Sequence, residues 1–188
     1  FRARYAWSAE TGGPGLTVRY FRNFIKLDSV PETFVVRLTA DSRYVFWVNG
    51  ERVGRGPEKG TLDHYFYETY DIAGHLRPGF NILAVEVRFF GWNAPTSEVH
   101  ANLPAFLFEG PPDAELDTPG DWKVYDDTAV TADTTSYIGN AQNFLNHFDS
   151  VDGRKLPLGW LEPDYDDSLW DEVVRVDGVY GNAACGVF

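Results

Sequence analysis

The chain has 188 residues, of which 44% are hydrophobic and 16% aromatic, so a disordered protein is excluded and one large domain can bury a core. Its formal net charge of −12 argues against nucleic acid and anionic membrane partners, which need basic surfaces, and is compatible with neutral ligands such as sugars. No apolar run approaches the roughly 18 residues of a membrane span.

The N-terminal segment has no regular pattern. Residues 1–15 end in the cluster Gly12-Gly13-Pro14-Gly15, which is typical of a turn. A sandwich of this overall length is usually one domain. We therefore predict an N-terminal arm at 1–16 and a single β-sandwich domain at 17–188. The chain contains no methionine, which indicates a processed or excised piece of a longer protein.

A hairpin around residues 43–56 is the clearest local signal. The run from Arg43 to Val48 is rich in β-forming residues and apolar at both parities, which is typical of a central strand covered on both faces. It ends in Asn49-Gly50, the dipeptide that most easily takes positive φ at both central positions of a type I′ turn. The return strand ends at Pro57, because proline has no N–H to donate to a neighbour.

Short strands between glycine and proline turns fill the rest of the chain. The segment Ala73 to Leu76 offers at most one helical turn, and Pro78-Gly79 predicts a tight turn. Residues 137–149 fit either a short helix or an extended return. Many short strands with little helix predict an all-β, antiparallel β-sandwich. The strands predicted outside the hairpin are Thr17–Leu27, Thr33–Ala40, His64–Ile72, Asn81–Phe90, Ala105–Glu109, Trp122–Asp126 and Val173–Val176.

The order of these motifs resembles the N-terminal β-sandwich of bacterial α-L-rhamnosidases. The matching elements are TADSRYVFWVNGERVGRGP, YETYDIAGHLRPGFNILAVEV and a late GWLEPDYDDSLW, and together they cover roughly Tyr20 to Val176. The resemblance implies a jelly-roll, galactose-binding-like sandwich. It also implies a glycoside hydrolase whose catalytic acids lie on a helical (α/α) barrel that is not part of this sequence.

The function implied by this resemblance is a non-catalytic carbohydrate-binding or structural accessory domain of an α-L-rhamnosidase-type enzyme. Its partners would be a rhamnose-containing or related saccharide and the catalytic domain of the same protein. Alternatives are the similar sugar-binding sandwich of β-galactosidase and β-glucuronidase enzymes, a purely structural domain that docks a barrel, and a free-standing lectin-like module. We expect a periplasmic or secreted bacterial protein, and the single Cys185 excludes an intrachain disulfide.

The predicted sugar site is the long loop that follows the strand Asn81–Phe90. A rigid sheet positions this loop, and an exposed indole offers a flat apolar face to a pyranose ring. The resemblance adds a calcium ion at the same end of the sandwich, with Asp41 as its candidate ligand. The predicted ligand-binding residues are Trp92, Asn93, Glu98 and His100.

Other chemistry-bearing residues fit structural roles better than catalytic ones. General acid/base catalysis needs two carboxylates about 5–9 Å apart across a substrate, and the neighbours Asp164, Asp166 and Asp167 do not provide that by sequence alone. We predict a turn in which Asp166 or Asp167 accepts backbone N–H bonds. The four histidines lack zinc-ligand spacing. Trp160 is predicted to lie in a loop. Three alternative roles fit it there: a cap over the end of the sandwich, a contact with another domain, or a contact with a ligand.

Overall fold

The computed structural model describes residues 1–10, 15–62, 64–91, 103–133 and 148–177. This part of the chain is all-β apart from a 3₁₀ turn at Ala73–His75. None of the helices in the described residues is long and apolar enough to span a membrane. The strands are β1 Ala6–Trp7, β2 Thr17–Leu27, β3 Val35–Asp41, β4 Arg43–Val48, β5 Glu51–Gly56, β6 Glu68–Asp71, β7 Gly79–Phe89, β8 Ala105–Glu109, β9 Lys123–Asp126, β10 Val130–Asp133, β11 Phe148–Val151, β12 Asp171–Glu172 and β13 Val174–Arg175.

The strands form two main antiparallel sheets and a small ribbon. One sheet has six strands in the order β12-β9-β2-β7-β4-β5, and the other has five in the order β13-β1-β8-β3-β6. Strands β10 and β11 pair as a separate two-stranded ribbon. The longest pairing joins β2 and β7 over 11 residue pairs, from Thr17↔Phe89 to Leu27↔Gly79. The predicted antiparallel β-sandwich is confirmed.

The core lies between the two sheets. Phe21 on β2 packs against Phe106 on β8 with ring centroids 4.7 Å apart, and Phe46 on β4 meets Phe108 on β8 at 5.6 Å. All four rings are completely buried. Edge-to-face and tilted aromatic contacts of this kind add to the free energy gained from burial alone. The inner faces are therefore committed to packing, and any binding surface lies on an outer face or at a rim.

The hairpin has the predicted turn, and its first strand has the predicted central position in the sheet. Asn49 and Gly50 have φ angles of 50° and 82°, and Val48 pairs with Glu51 across them, as in a tight two-residue turn. β4 lies between β7 and β5, so it is a central strand as predicted, whereas the return strand β5 forms the edge of the six-stranded sheet. The outer side of β4 is apolar because Trp47 packs under a loop residue, Trp160, at 5.4 Å.

The N-terminal segment is not an irregular arm. Ala6 pairs with Phe106 of β8 and with Arg175 of β13, and Trp7 is fully buried with its ring 5.5 Å from that of Phe21. A strand of two residues is too short to produce a visible sequence period, which is why the prediction was wrong here. The division into an arm and one domain at residue 17 remains a prediction.

Two other predicted strands are shorter than expected. Only Glu68–Asp71 of the run from His64 to Ile72 pairs as a strand. The run from Val173 to Val176 lies at a crossover, because β12 belongs to the six-stranded sheet and β13 to the five-stranded one. Between them, the Val173 amide donates to the Trp122 carbonyl at 3.2 Å. Of residues 137–149, the described part begins at β11 and is extended.

Candidate functional site

The outer face of the six-stranded sheet is partly covered by the segment 156–170. Arg22 on β2 points outward into this segment and is only 3% exposed. Its Nε donates to Asp167 Oδ2 at 3.0 Å, and its guanidinium also donates to the backbone carbonyls of Trp160 and Glu162. Lys123 on β9 reaches the other oxygen of Asp167 at 2.7 Å. Asp167 is therefore a structural anchor, bound through its side chain to two cations.

The aromatic residues of this segment close around the same guanidinium. The Arg22 side chain lies 5.1 Å from the ring centroid of Tyr165 and 5.9 Å from that of Trp170. Burial lowers the pKa of Arg22, and the Asp167 carboxylate opposes that shift. Asp166 instead accepts the Ser168 amide at 3.0 Å, which confirms the predicted turn, and its hydrogen bonds with Ser168 lower its pKa.

A groove of about 520 Å³ lies beside this anchored segment. The Trp160 ring packs 4.7 Å from Tyr20 and 5.4 Å from Trp47, with the two indoles nearly perpendicular at 80°. Trp47 is half-buried, so part of its ring faces the groove. Such a surface combines flat apolar walls with nearby polar groups. The groove is lined by Tyr20, Trp47, Glu86, Arg88, Val130, Val151, Leu156, Pro157, Leu158, Gly159, Trp160, Leu161 and Glu162.

An ion pair forms the polar part of the groove. Arg88 Nε donates to Glu86 Oε1 at 3.0 Å, and its Nη1 donates to Asp149 on β11 at 2.5 Å. Burial alone would lower the pKa of Arg88, but the hydrogen bonds to these two carboxylates outweigh it and the pKa is raised. Arg88 is thus fixed in place with its charge compensated, while Glu86 retains acceptor capacity for a hydroxyl donor.

The hydroxyl of Tyr20 is held at the side of the same groove. It donates to Asp127 Oδ2 at 3.1 Å. Burial, followed by the nearby Glu86 and Asp127 carboxylates, raises the pKa of Tyr20, so the phenol stays neutral at physiological pH. Tyr20 therefore gives the groove a fixed, neutral hydroxyl group.

The residues predicted for sugar binding, Trp92, Asn93, Glu98 and His100, lie outside the described residues, and their roles stay predictions. Asp41 is described and is completely buried.

The metal role predicted for Asp41 stays a prediction, and the described part of the chain gives one observation on it. There, no group of three or more His, Cys, Asp or Glu side chains lies close enough together to hold a metal ion. Calcium needs an oxygen cage of six to eight ligands, and the predicted cage includes carbonyls of the loop after β7, which lies outside the described residues. Ser42, next to Asp41, instead accepts the Phe90 amide at 3.2 Å, which ties the turn to the end of β7.

Sequence reasoning missed the groove itself. Tyr20, Trp47, Glu86 and Arg88 all have the outward parity of their strands, and this parity was visible in the sequence. Three strands separate in sequence contribute them, so their proximity follows only from the pairings Tyr20↔Glu86 and Trp47↔Ala84. Trp160 was singled out as a loop tryptophan, but its position over Trp47 was not predictable from spacing.

Residues 31–183 match the family described as the alpha-L-rhamnosidase N-terminal domain. The chain belongs to this family. The match includes both the hairpin and the late motif at Gly159–Trp170, so the resemblance drawn from these elements is confirmed.

Individual relatives agree with this assignment. An alpha-L-rhamnosidase of Streptomyces avermitilis is 31% identical over 154 residues, which are 74% of this chain and 14% of the relative. The crystal structure of a GH78 family rhamnosidase of Bacillus sp. GL1 covers 100% of this chain at 28% identity with a TM-score of 0.79. A Streptomyces avermitilis alpha-L-rhamnosidase complexed with L-rhamnose shares the fold, at 19% identity and a TM-score of 0.55, over 93% of this chain and 14% of that one.

The chain spans only a small part of these relatives. It covers 14% of the Streptomyces protein and 19% of the Bacillus structure. It is therefore similar to one N-terminal domain within much larger enzymes.

Proposed function

We propose that this chain is a non-catalytic accessory domain of an α-L-rhamnosidase and that it binds a saccharide in the groove on the outer face of the six-stranded sheet. The observation that carries the proposal is the convergence of two indoles, Trp47 and Trp160, with the Glu86–Arg88 pair. Aromatic faces match the C–H face of a sugar ring, and fixed charged groups orient its hydroxyls.

A non-catalytic role is supported by how the carboxylates are used. Glu86 is paired with Arg88, and Asp167 is paired with Arg22 and Lys123. Glycoside hydrolysis needs one carboxyl group with a raised pKa and a second that acts as base or nucleophile across the substrate. Glu86 in the groove and Asp167 in the anchored segment are instead engaged with cations, which suits binding and not proton transfer.

The ligand class is suggested by the relatives and by the charge state of the groove. One structural neighbour is complexed with L-rhamnose. In this chain the Arg88 charge is balanced by Glu86 and Asp149, so the groove favours hydroxyl groups over a strong anion. A rhamnose-containing saccharide fits this chemistry. The proposed partner in the whole protein is its catalytic domain.

Titration calorimetry with L-rhamnose and rhamnose-containing oligosaccharides tests the proposal. Trp47→Ala should weaken binding by about 1–2 kcal/mol, roughly five- to thirty-fold, because a half-buried apolar surface is lost from the groove. Phe24→Ala is the matched control, since Phe24 is an aromatic residue on the same sheet that is 56% exposed and lies outside the groove. The urea midpoints of both variants show whether either change disturbs the fold.

The remaining outcomes contradict the proposal in different ways. Weakening by Trp92→Ala but not by Trp47→Ala would move the ligand to the loop predicted from the sequence. No binding of any saccharide would favour a purely structural domain that docks a barrel. Release of nitrophenol from nitrophenyl α-L-rhamnoside by the purified chain would contradict the non-catalytic role.

A further inference from the structure

One side of the groove is made of aliphatic side chains. The β10–β11 ribbon contributes Val130 and Val151, which pair directly opposite each other across the two strands. The segment that follows β11 contributes Leu156, Pro157 and Leu158. We call these five residues the apolar wall. It faces a groove whose other lining side chains include the Glu86–Arg88 pair, so the two sides of the groove differ in polarity.

The ion pair between Asp149 and Arg88 determines which face of the ribbon meets the groove. Asp149 lies on β11, and Val151 lies two residues further along the same strand. Side chains at positions i and i+2 of a strand project from one face, about 7 Å apart. Asp149 and Val151 therefore both face the groove. The polar end of the groove and the apolar wall are separated by a distance comparable to the breadth of one pyranose ring.

Part of the apolar wall is fixed by packing, and part of it is accessible to a ligand. Val130 is buried and packs in one cluster with Tyr20 and Trp160, so the wall is continuous with the aromatic surface of the groove. Val151 is 53% exposed and Leu158 is 77% exposed. Burying these two side chains under a ligand would remove apolar surface from water, which is favourable.

This arrangement discriminates between the substituents that a sugar ring carries at C5. A pyranose whose hydroxyl groups reach Glu86 turns its opposite edge towards the apolar wall. A hydroxymethyl group placed against aliphatic side chains loses hydrogen bonds to water and finds no replacement there. A methyl group in the same position loses nothing and gains from burial. The wall therefore favours a sugar without the hydroxyl at C6.

We infer that the apolar wall is the specificity determinant of the groove and that it selects a 6-deoxy sugar, whose methyl group lies against Val151 and Leu158. This inference rests on the proposed function, because it places the ring of the same ligand against Trp47 and its hydroxyl groups at Glu86.

Calorimetry with three methyl α-pyranosides that differ only at C5 tests the inference. The L-rhamnoside carries a methyl group there, the L-mannoside a hydroxymethyl group and the L-lyxoside only hydrogen. We expect the rhamnoside to bind about ten-fold more tightly than the mannoside, because the wall offers no partner to the added hydroxyl. It should bind roughly two- to four-fold more tightly than the lyxoside, which is the gain from partly burying one methyl group.

Val151→Thr tests the wall itself. Threonine keeps the shape of valine and places a hydroxyl group in the wall, so the preference for the rhamnoside over the mannoside should fall to about three-fold or less. Val35→Thr is the matched control, because it makes the same change at an exposed strand position of the five-stranded sheet and should leave the preference unchanged. The urea midpoints of both variants show whether the fold is kept.

Two results would overturn the inference. One is that the wild-type chain binds the mannoside as tightly as the rhamnoside or more tightly, and the other is an unchanged preference in Val151→Thr. If the sugars still bind in a Trp47-dependent way, the proposed function survives either result. If neither these pyranosides nor rhamnose-containing oligosaccharides bind, both proposals fail.

Discussion

Replacing Arg22 by methionine is the sharpest test of how the late motif is held on the sheet. Methionine keeps most of the buried apolar volume and removes the guanidinium that binds Asp167 and the carbonyls of Trp160 and Glu162. We expect the segment 156–170 to loosen from β2 and the free energy of unfolding to fall.

The size of the loss follows from burial and from what remains bound. Removing one partner of a buried ion pair costs about 3–5 kcal/mol when the other charge is left uncompensated. Arg22 is 3% exposed, but the Asp167 side chain is 21% exposed and keeps Lys123 as a partner. The two backbone carbonyls lose a charged donor, worth about 1.5–3 kcal/mol for each good bond. We therefore expect a loss of about 3 kcal/mol.

Urea unfolding followed by tryptophan fluorescence measures this loss. With a slope near 2 kcal/mol per molar urea, a change of about 3 kcal/mol moves the midpoint by roughly 1.5 M. Lys123→Met is the control, because it removes the more exposed partner of the same carboxylate. A midpoint for Arg22→Met equal to that of Lys123→Met would refute the assignment of Arg22 as the principal anchor.

Two further predictions concern the hairpin and the N-terminal segment. Gly50→Val should lower the free energy of unfolding by about 1 kcal/mol or more, because a β-branched residue is strained at φ +82°. Gly153→Val is the control and should be nearly neutral, because no atom lies within 4 Å of an added Cβ there and φ is not positive. Equal urea midpoints for the two variants would contradict this prediction. Glu109 accepts the Arg2 and Ala3 amides, which outweighs its burial and lowers its pKa. The Glu109 carboxylate therefore stabilises the fold above its ordinary pKa of 4.5, and this contribution is lost as pH falls through the lower pKa of the folded state. Below about pH 4.5, the stability of the wild-type chain should drop more steeply than that of Glu109→Gln. Parallel curves of urea midpoint against pH for the two proteins would contradict this prediction.

The elements that sequence predicted well are those set by local chemistry. The Asn49-Gly50 turn follows from the tolerance of these residues for positive φ, and β2 follows from alternation over 11 residues. The run Ala105–Glu109 was predicted with its observed bounds because glycine and prolines follow it. In each case the residues that determine the turn or strand lie within a few positions of one another in the sequence.

The errors occur where a distant partner decides the structure. Nothing near Ala6 and Trp7 indicates a strand, and they become one only because β8 and β13 flank them. Trp47 indicates a central strand, since apolar residues on both faces usually mean two covering layers. β4 is central, but the outer cover over Trp47 is a loop residue, Trp160, and the local pattern does not identify that cover.

The same reason explains why a binding surface on this sheet was hard to predict. Parity identifies the outer face but does not say whether an outward aromatic residue is covered, half-covered or free. That depends on Arg22, a residue that looks like an ordinary solvent-facing arginine in an alternating strand but is 3% exposed. By fixing the late motif over one half of the face, Arg22 creates the wall of the groove at Trp160. The motif by which the family is recognised is thus the element that shapes the groove, even though its aspartates serve as an anchor and a turn.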